Sequence, residues 1–475
     1  MKAGEIETAA GIPEAGVIEG GAAVVAAGAV RRARTGGRAR LRGRACSAAA
    51  VPIPLVVTLA LLAGCGGSAP ALGPTLTLVD GGASNPTAAV DPRTGVVYVA
   101  WVTAQEGRAD VYLARIEGGE ASAPVRVNDI PGDAAPHEQA PAQVAVAPNG
   151  DVLVLWQNNT PVAGRRFPAS DLRLARSTDG GRTFEPAVTV NDDAGGLPSS
   201  HTFHDIAVAP DGTVYVSWID SRERDRARAA LGIVEDATMG HGGNGGAAAA
   251  AGEADLPSSD VRVARSTDGG RTFEPGVVVA RDVCPCCRTS LAVAPDGAVL
   301  VAWRRVFDGD VRDIVVARST DGGRTFSAPV RVHDDGWVIP GCPHAGASLA
   351  VDAAGRVHVA WYTGRQERQG IYHAVSTDGG LTFGDPRPLL AGGWVPVSLV
   401  RLAAAPEGGV WGAWDDRRAE QRRVTIARAG ESGVKVLDDD VPGSAPAVAA
   451  AAGTAVVAWL DDGAVRARVA LSAPR

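Results

Sequence analysis

One octapeptide occurs four times in this chain of 475 residues and restricts it to a repeat architecture. It reads Ser-Thr-Asp-Gly-Gly-Arg-Thr-Phe at 177–184, 266–273 and 319–326, and Ser-Thr-Asp-Gly-Gly-Leu-Thr-Phe at 376–383. A longer unit of about 60 residues surrounds it, which is the length of a four-stranded propeller blade with its loops. In each unit alternating apolar residues lead to one tryptophan, and seven mark this position: Trp101, Trp156, Trp218, Trp303, Trp361, Trp414 and Trp459.

The sequence therefore predicts an all-β propeller over residues 75–475, with four strands, A to D, in each blade. Seven blades are favoured by the tryptophan count, and six is the alternative. The seventh unit ends after its strand C, so we expect residues 75–80 to supply the missing strand D and leave no free sheet edge. An Ala/Gly-rich insertion at 224–257 is expected to be disordered, and no amphipathic helix of useful length is predicted.

The octapeptide resembles the Asp-box, or bacterial neuraminidase repeat, of the sialidase-like propellers, and the resemblance covers about residues 75–475. It implies structural roles for four aspartates, whose carboxylates would accept turn amides while glycine supplies positive φ and phenylalanine packs between blades. These are Asp179, Asp268, Asp321 and Asp378. In that family the Asp-box turns lie on the face opposite the active site.

The same resemblance implies a glycosidase site with an arginine triad, an Asp acid/base and a Tyr nucleophile paired with Glu. The sequence departs from this pattern, because the Arg-Ile-Pro motif that carries the first arginine is absent. Catalytic candidates remain near the loops of the opposite face. They are Tyr362, Asp220, Arg222, Arg288, Arg365 and Arg417.

Cysteines and histidines stand just before four successive A strands. In an antiparallel meander the D–A and B–C loops share one face, and strand A is nearest the axis, so these residues are expected to converge in one funnel. Thiolate and imidazole groups are ligands for zinc or copper. The candidate ligands are Cys284, Cys286, Cys287, Cys342, His344, His201, His204 and His137. Two structural disulfides are the alternative, although every pairing leaves a strained pair within 284–287.

Residues 1–64 predict an export signal rather than part of the fold. Seven arginines within 31–44 precede an apolar run at 48–63, which ends in Leu62-Ala63-Gly64-Cys65. This order is the export pattern, and its ending resembles a bacterial lipobox, which implies lipid attachment at Cys65 and a tether at 65–74. An ordinary secretory signal is the alternative. The segment is longer than usual, so the true start is expected downstream, at Val30 or Leu41.

The net charge of −7 argues against a general nucleic-acid binder.

Taken together, these features predict a lipoprotein anchored to a membrane in the periplasm or at the cell surface. It would bind a ligand on its funnel face, with a Cys/His metal or redox centre and without sialidase activity. The alternatives are an exo-sialidase-type glycoside hydrolase acting on glycans and a scaffold that binds a protein partner.

Overall fold

The computed structural model of the chain describes residues 71–163, 165, 167–233, 256–281, 283–430 and 433–471. The predicted export signal, the start codons, Cys65 and most of the tether lie outside the described residues. No helix in the described ranges is long and apolar enough to cross a membrane.

Seven antiparallel sheets form the molecule, and each is one blade of a propeller. Blade 1 contains β2 (Thr87–Val90), β3 (Val97–Gln105) and β4 (Arg108–Glu117), with β5 (Glu120–Ala121) and β6 (Val125–Arg126) both paired to β4; blade 2 contains β7 (Gln143–Val146), β8 (Val152–Gln157), β9 (Leu172–Ser177) and β10 (Val188–Thr189); blade 3 contains β11 (His201–Val208), β12 (Val214–Asp220), β13 (Asp260–Ser266) and β14 (Val277–Ala280).

The remaining blades repeat this order. Blade 4 contains β15 (Ser290–Val293), β16 (Val299–Phe307), β17 (Val311–Ser319) and β18 (Val330–Arg331); blade 5 contains β19 (Ser348–Val351), β20 (Val357–Thr363), β21 (Gly370–Ser376) and β22 (Arg387–Ala391); blade 6 contains β23 (Val400–Ala404), β24 (Val410–Asp416), β25 (Arg423–Gly430) and β26 (Gly433–Pro442); blade 7 contains β27 (Ser444–Ala451), β28 (Thr454–Asp461), β29 (Ala464–Leu471) and β1 (Leu76–Val79).

The chain ends close the ring. Strand β1 pairs antiparallel with β29, with Leu76 opposite Ala467 and Val79 opposite Val465, so the first strand completes the last blade. This confirms the predicted seven blades and the role of residues 75–80. Six blades, the alternative, is wrong.

Burial between neighbouring blades holds the ring together. All seven marker tryptophans lie in B strands and are at most 2% exposed. Seven apolar clusters draw their residues from adjacent blades, one cluster for each neighbouring pair, including blades 7 and 1. The core is therefore a ring of interfaces rather than one central mass.

The four octapeptides form the turns between strands C and D. In the first, Asp179 Oδ1 accepts the amides of Arg182 (2.9 Å) and Thr183 (3.0 Å), and the Thr183 hydroxyl donates to Oδ2 at 2.6 Å. Asp268, Asp321 and Asp378 make the same contacts. Phe184 packs against the cluster between blades 1 and 2. These turns lie on the face away from the D–A loops.

One helix contradicts the expectation for the insertion. Helix α1 (Arg222–Leu231) begins directly after β12 and ends at Gly232, which takes the left-handed conformation with φ 64°. Its buried positions are Arg222, Asp225 and Arg228, spaced by three residues. Ion pairs hold them, including Asp225 with Arg165 at 3.2 Å. Because the buried face of the helix is charged, its sequence lacks the apolar residues at every third or fourth position that normally predict a helix. The rest of the insertion from residue 234 to 255 lies outside the described residues.

A buried histidine pair lies on blade 5 and gives the fold a pH dependence. The Nδ1 atom of His358 is 3.1 Å from Nε2 of His373, and Nε2 of His358 is 3.3 Å from Asp352. Burial, with the nearby His358, lowers the pKa of His373 to about 4 from its usual 6.5. The unfolded chain therefore takes up this proton first as the pH falls, so the stability is complete above pH 6.5 and is lost toward pH 4.

We expect His373→Gln to remove part of the acid sensitivity, because glutamine cannot take up the proton. The wild-type free energy of unfolding should fall by about 3 kcal/mol more than that of the variant between pH 7 and 4. Urea titrations at four pH values measure this difference. His333→Gln, at a half-buried site, is the matched control. Equal pH slopes for wild type and His373→Gln would contradict the assignment.

Candidate metal centre

Three cysteines lie in one tight connection between β14 and β15. The Cys284 amide donates to the Arg304 carbonyl at 2.9 Å, and Val283 bridges to Arg305, so the connection is fixed to the end of β16. Pro285 follows within the turn at 284–287. The turn brings three sulfurs close together beside the end of β16 in blade 4.

The spacing of these sulfurs suits a shared metal ion. Sγ of Cys284 is 3.5 Å from both Sγ of Cys286 and Sγ of Cys287, and the last two are 4.0 Å apart. A tetrahedral ion with Zn–S bonds of about 2.3 Å would separate its sulfur ligands by about 3.8 Å. All three residues are buried, at 0%, 6% and 0% exposure. The three sulfurs are thus close to the positions of thiolates around one ion.

A fourth sulfur comes from the connection between β18 and β19. The thiol of the exposed Cys342 lies near those of Cys284 and Cys286, which influence its pKa, but its sulfur is not within 4.8 Å of all three buried sulfurs. The sequence predicted that these four cysteines converge, from the position of both loops before A strands. The structure brings Cys284, Cys286 and Cys287 together and places Cys342 beside two of them.

Two arginines supply positive charge beside the sulfurs. Nη1 of Arg312 donates to Sγ of Cys284 at 3.2 Å. Arg304 is 1% exposed and donates only to carbonyls, those of Ala345, Arg312 and Tyr362, and no carboxylate in the described ranges forms an ion pair with it. A buried cation without a carboxylate needs another anion. The thiolates are the anions at hand. Arg304 directly follows the marker residue Trp303 in β16, and Arg312 is the second residue of β17.

The thiols differ in acidity. Hydrogen bonds from the other three thiols, together with the Arg312 charge, hold the pKa of Cys284 well below its usual range. Its thiolate in turn raises the pKa of Cys342 to about 11. Burial raises the pKa of Cys287. A bound cation would favour the ionised form of all four thiols.

The predicted histidine ligands do not join the sulfurs. Among the described residues the three buried cysteines are the one group of three or more potential ligands whose atoms all lie within 4.8 Å. His201 lies elsewhere, with Nδ1 2.6 Å from the Ser170 carbonyl and Nε2 3.0 Å from Asp193. His204 is buried, and burial with the nearby Arg288 charge lowers its pKa to about 3. His137 and His344 lie near each other, since the charge of His344 contributes to the lowered pKa of His137. The four histidines are therefore not part of the cluster of three buried sulfurs, and a mixed Cys/His site stays a prediction.

The catalytic candidates are also not gathered into one site. Tyr362 is buried, its hydroxyl donates to the Val395 carbonyl at 2.8 Å, and burial raises its pKa to about 12. Strand alternation turns its ring toward blade 6, so it is a core residue and not an exposed nucleophile. Asp220 and Arg222 form a buried ion pair at 2.8 Å beside α1.

The other arginines are held separately. Arg288 is buried, which lowers its pKa to about 10. Arg365 donates to the Asp335 carbonyl. Arg417 pairs with Asp415 at 2.8 Å and with Glu138 of blade 2 at 3.0 Å. The arginine triad implied by the resemblance is not assembled from these candidates.

A cleft of about 690 Å³ opens beside the cysteine loop. Phe307 forms part of its wall, with the guanidinium carbons of Arg331 and Arg305 at 3.8 and 5.0 Å from the ring centre. Arg331 is paired with Asp334 at 2.6 Å, whereas Nε of Arg305 is buried without a hydrogen-bond partner. Val283, next to Cys284, lines the same cleft. The cleft offers an aromatic surface and the guanidinium group of Arg305, which stacks near Phe307 and forms no ion pair with any described residue.

Comparisons with solved structures identify the same fold. An ulvan lyase, a polysaccharide lyase bound to -[GlcA(1-4)Rha3S]-, matches with a TM-score of 0.54 and 13% identity over 84% of this chain and 96% of that chain. The chain therefore has the same propeller fold as this polysaccharide lyase. A Hadza microbial sialidase matches with a TM-score of 0.47 and 16% identity over 79% and 77%. An α-L-arabinanase from Penicillium chrysogenum matches with a TM-score of 0.43 and 16% identity over 69% and 92%. No protein-family model and no curated protein matches the sequence.

Proposed function

We propose that this chain is an exported propeller that holds one soft metal ion, zinc or copper, in a centre formed by Cys284, Cys286, Cys287 and Cys342. The observation that carries the proposal is the set of three buried sulfurs separated by 3.5–4.0 Å. The sulfur-rich donor set suits both ions. The ligands are the four thiolates alone.

Charge balance supports the same assignment. If the ion is zinc, its two charges and the guanidinium groups of Arg304 and Arg312 balance four thiolates, whereas copper(I) would leave one negative charge. Two disulfides would instead leave the Arg304 guanidinium group beside neutral sulfur atoms. A buried cation without a neighbouring anion destabilises the folded state. A disulfide would also require a sulfur pair to shorten to about 2.05 Å. The metal centre accounts for both the spacing and the arginines.

Elemental analysis tests the proposal. Full-length protein purified without chelator should contain about one zinc or copper ion per chain, because four ligands complete the coordination of one ion. Addition of a chelator should make four additional thiols reactive toward a thiol reagent, because ionised ligands are released. Protein with neither metal nor chelator-released thiols would contain structural bridges instead, and the proposal would fail.

The proposal includes a lipid anchor at Cys65. The basic and apolar segments that precede this residue support it. We expect Cys65→Ser to yield an unlipidated precursor that is recovered in the soluble fraction, measured by membrane fractionation and mass spectrometry. Normal processing and continued membrane association of Cys65→Ser would refute the anchor.

A second candidate function is glycan binding without sialidase activity. The cleft beside Phe307 favours it, because sugar-binding sites combine an apolar surface with a few polar groups, and the ulvan lyase with this fold is a glycan-processing enzyme. The guanidinium group of Arg305, which forms no ion pair with any described residue, favours an acidic sugar. Burial of Tyr362 argues against a sialidase-type nucleophile.

We expect the protein to bind a uronate oligosaccharide more tightly than a neutral oligosaccharide of the same length. Arg305→Met should weaken uronate binding about tenfold and leave neutral-sugar binding unchanged, because only the carboxylate contact is lost. Titration calorimetry measures both affinities. Arg271→Met, in an Asp-box turn, is the control. Equal affinity of wild type and Arg305→Met for the uronate would exclude this cleft.

A further inference from the structure

The four sulfurs of the proposed centre differ in their access to solvent. Cys284, Cys286 and Cys287 are buried, whereas Cys342 is exposed. The buried three come from one connection, and Cys342 comes from the next, between blades 4 and 5. An incoming ion or carrier can therefore reach only one of the four ligands directly.

The segment that carries Cys342 is anchored on both sides. Before it, the Ile339 amide donates to the Asp310 carbonyl at 3.1 Å, and Nε of Arg312 donates to the Ile339 carbonyl at 3.0 Å. After it, the Ala345 carbonyl accepts two bonds from Arg304, at 3.1 and 2.9 Å. The backbone at Gly346 lies so close to Arg288 that a Cβ there would be 2.4 Å from the Arg288 carbonyl oxygen. Residues 340–344 thus form a short arch over the buried sulfurs.

The Cys342 thiol neighbours those of Cys284 and Cys286. Cys284 and Cys287 are fully buried, and Cys286 is 6% exposed. Sγ of Cys284 also accepts a hydrogen bond from Nη1 of Arg312 at 3.2 Å. An ion held by Cys342 would have the sulfurs of Cys284 and Cys286 as its next ligands.

We propose that the metal enters and leaves this centre through Cys342, by ligand exchange with a thiolate-bound ion on a carrier. The inference rests on the proposed metal centre. In the step, the bond from the metal to the carrier's sulfur breaks as the bond to Sγ of Cys342 forms. The proton leaves the Cys342 thiol and is taken up by the carrier's departing thiolate. The oxidation state of the metal does not change.

Stopped-flow kinetics with zinc delivered as its glutathione complex tests this route, with copper(I)–glutathione as the probe if copper is the ion found. Cys342→Ser should slow metal uptake by about tenfold, because the exchange ligand is lost. Cys287→Ser should speed release and leave the uptake rate within about threefold, as expected for an inner ligand. Unchanged or faster uptake in Cys342→Ser would make Cys342 an ordinary ligand and overturn the inference.

Alkylation gives an independent readout on the wild-type protein. Iodoacetamide should modify Cys342 before the other three residues in the metal-loaded protein, as located by mass spectrometry, and the modified protein should exchange metal slowly. First modification of a buried cysteine would contradict the route. If wild-type protein takes up no metal at all, the proposed centre itself fails, which is a different result from uptake that does not depend on Cys342.

Discussion

Replacing Cys287 by serine is expected to weaken metal binding about 100-fold or more while the propeller remains folded. Structural zinc sites bind with about 10–16 kcal/mol from four ligands, so loss of one thiolate should weaken the affinity by a factor of about 100 or more. Serine keeps the size of the side chain but is a poor ligand for soft ions. Competition with a chromophoric chelator measures the affinity.

Val283→Ala is the matched control for Cys287→Ser. It removes buried carbon from the same connection, where Val283 is 2% exposed, but leaves all four sulfurs. Its metal affinity should stay close to that of the wild type. A loss of affinity in the control as large as in Cys287→Ser would mean that packing of the loop, and not sulfur, determines the result.

Replacing Arg304 by methionine should destabilise the metal-loaded protein more than the metal-free protein. In the loaded state the guanidinium group would neutralise buried thiolates, and its loss should cost about 3–5 kcal/mol. In the metal-free state most of the thiols are protonated, so less charge is left unpaired. Urea unfolding with and without chelator measures the two costs.

Arg304→Lys separates charge from hydrogen bonding in this test. Lysine keeps the positive charge but cannot make all four carbonyl contacts of Arg304. It should therefore restore much of the difference between the loaded and metal-free states. If Arg304→Met lowered the free energy of unfolding equally in both states, Arg304 would stabilise the loops only through its carbonyl contacts and would not neutralise the thiolates.

The sequence predicted the ring because its signals are periodic. The tryptophans mark strand B in every blade, and each is buried as the pattern requires. The closing strand could be predicted because the seventh unit lacks a strand D and residues 75–80 resemble one. The position of Cys342 near the three buried cysteines could be predicted from topology, since both loops precede A strands on one face.

The direction of individual side chains could not be predicted in the same way. His201 precedes the regular part of its A strand, yet Asp193 and the Ser170 carbonyl hold its ring away from the sulfurs. Tyr362 follows a marker tryptophan, and strand alternation buries it against Trp337. Helix α1 was missed because charged residues occupy its buried face. In each case a tertiary partner, absent from the local pattern, decides the outcome.

X-ray absorption spectroscopy of the purified, metal-bearing protein tests the central claim most directly. We expect a first shell made only of sulfur, with about four scatterers near 2.3 Å for zinc or a closely similar sulfur shell for copper. Cys287→Ser loaded with excess metal should lose one sulfur from that shell. A first shell dominated by nitrogen or oxygen in the wild-type protein would contradict the four-thiolate centre.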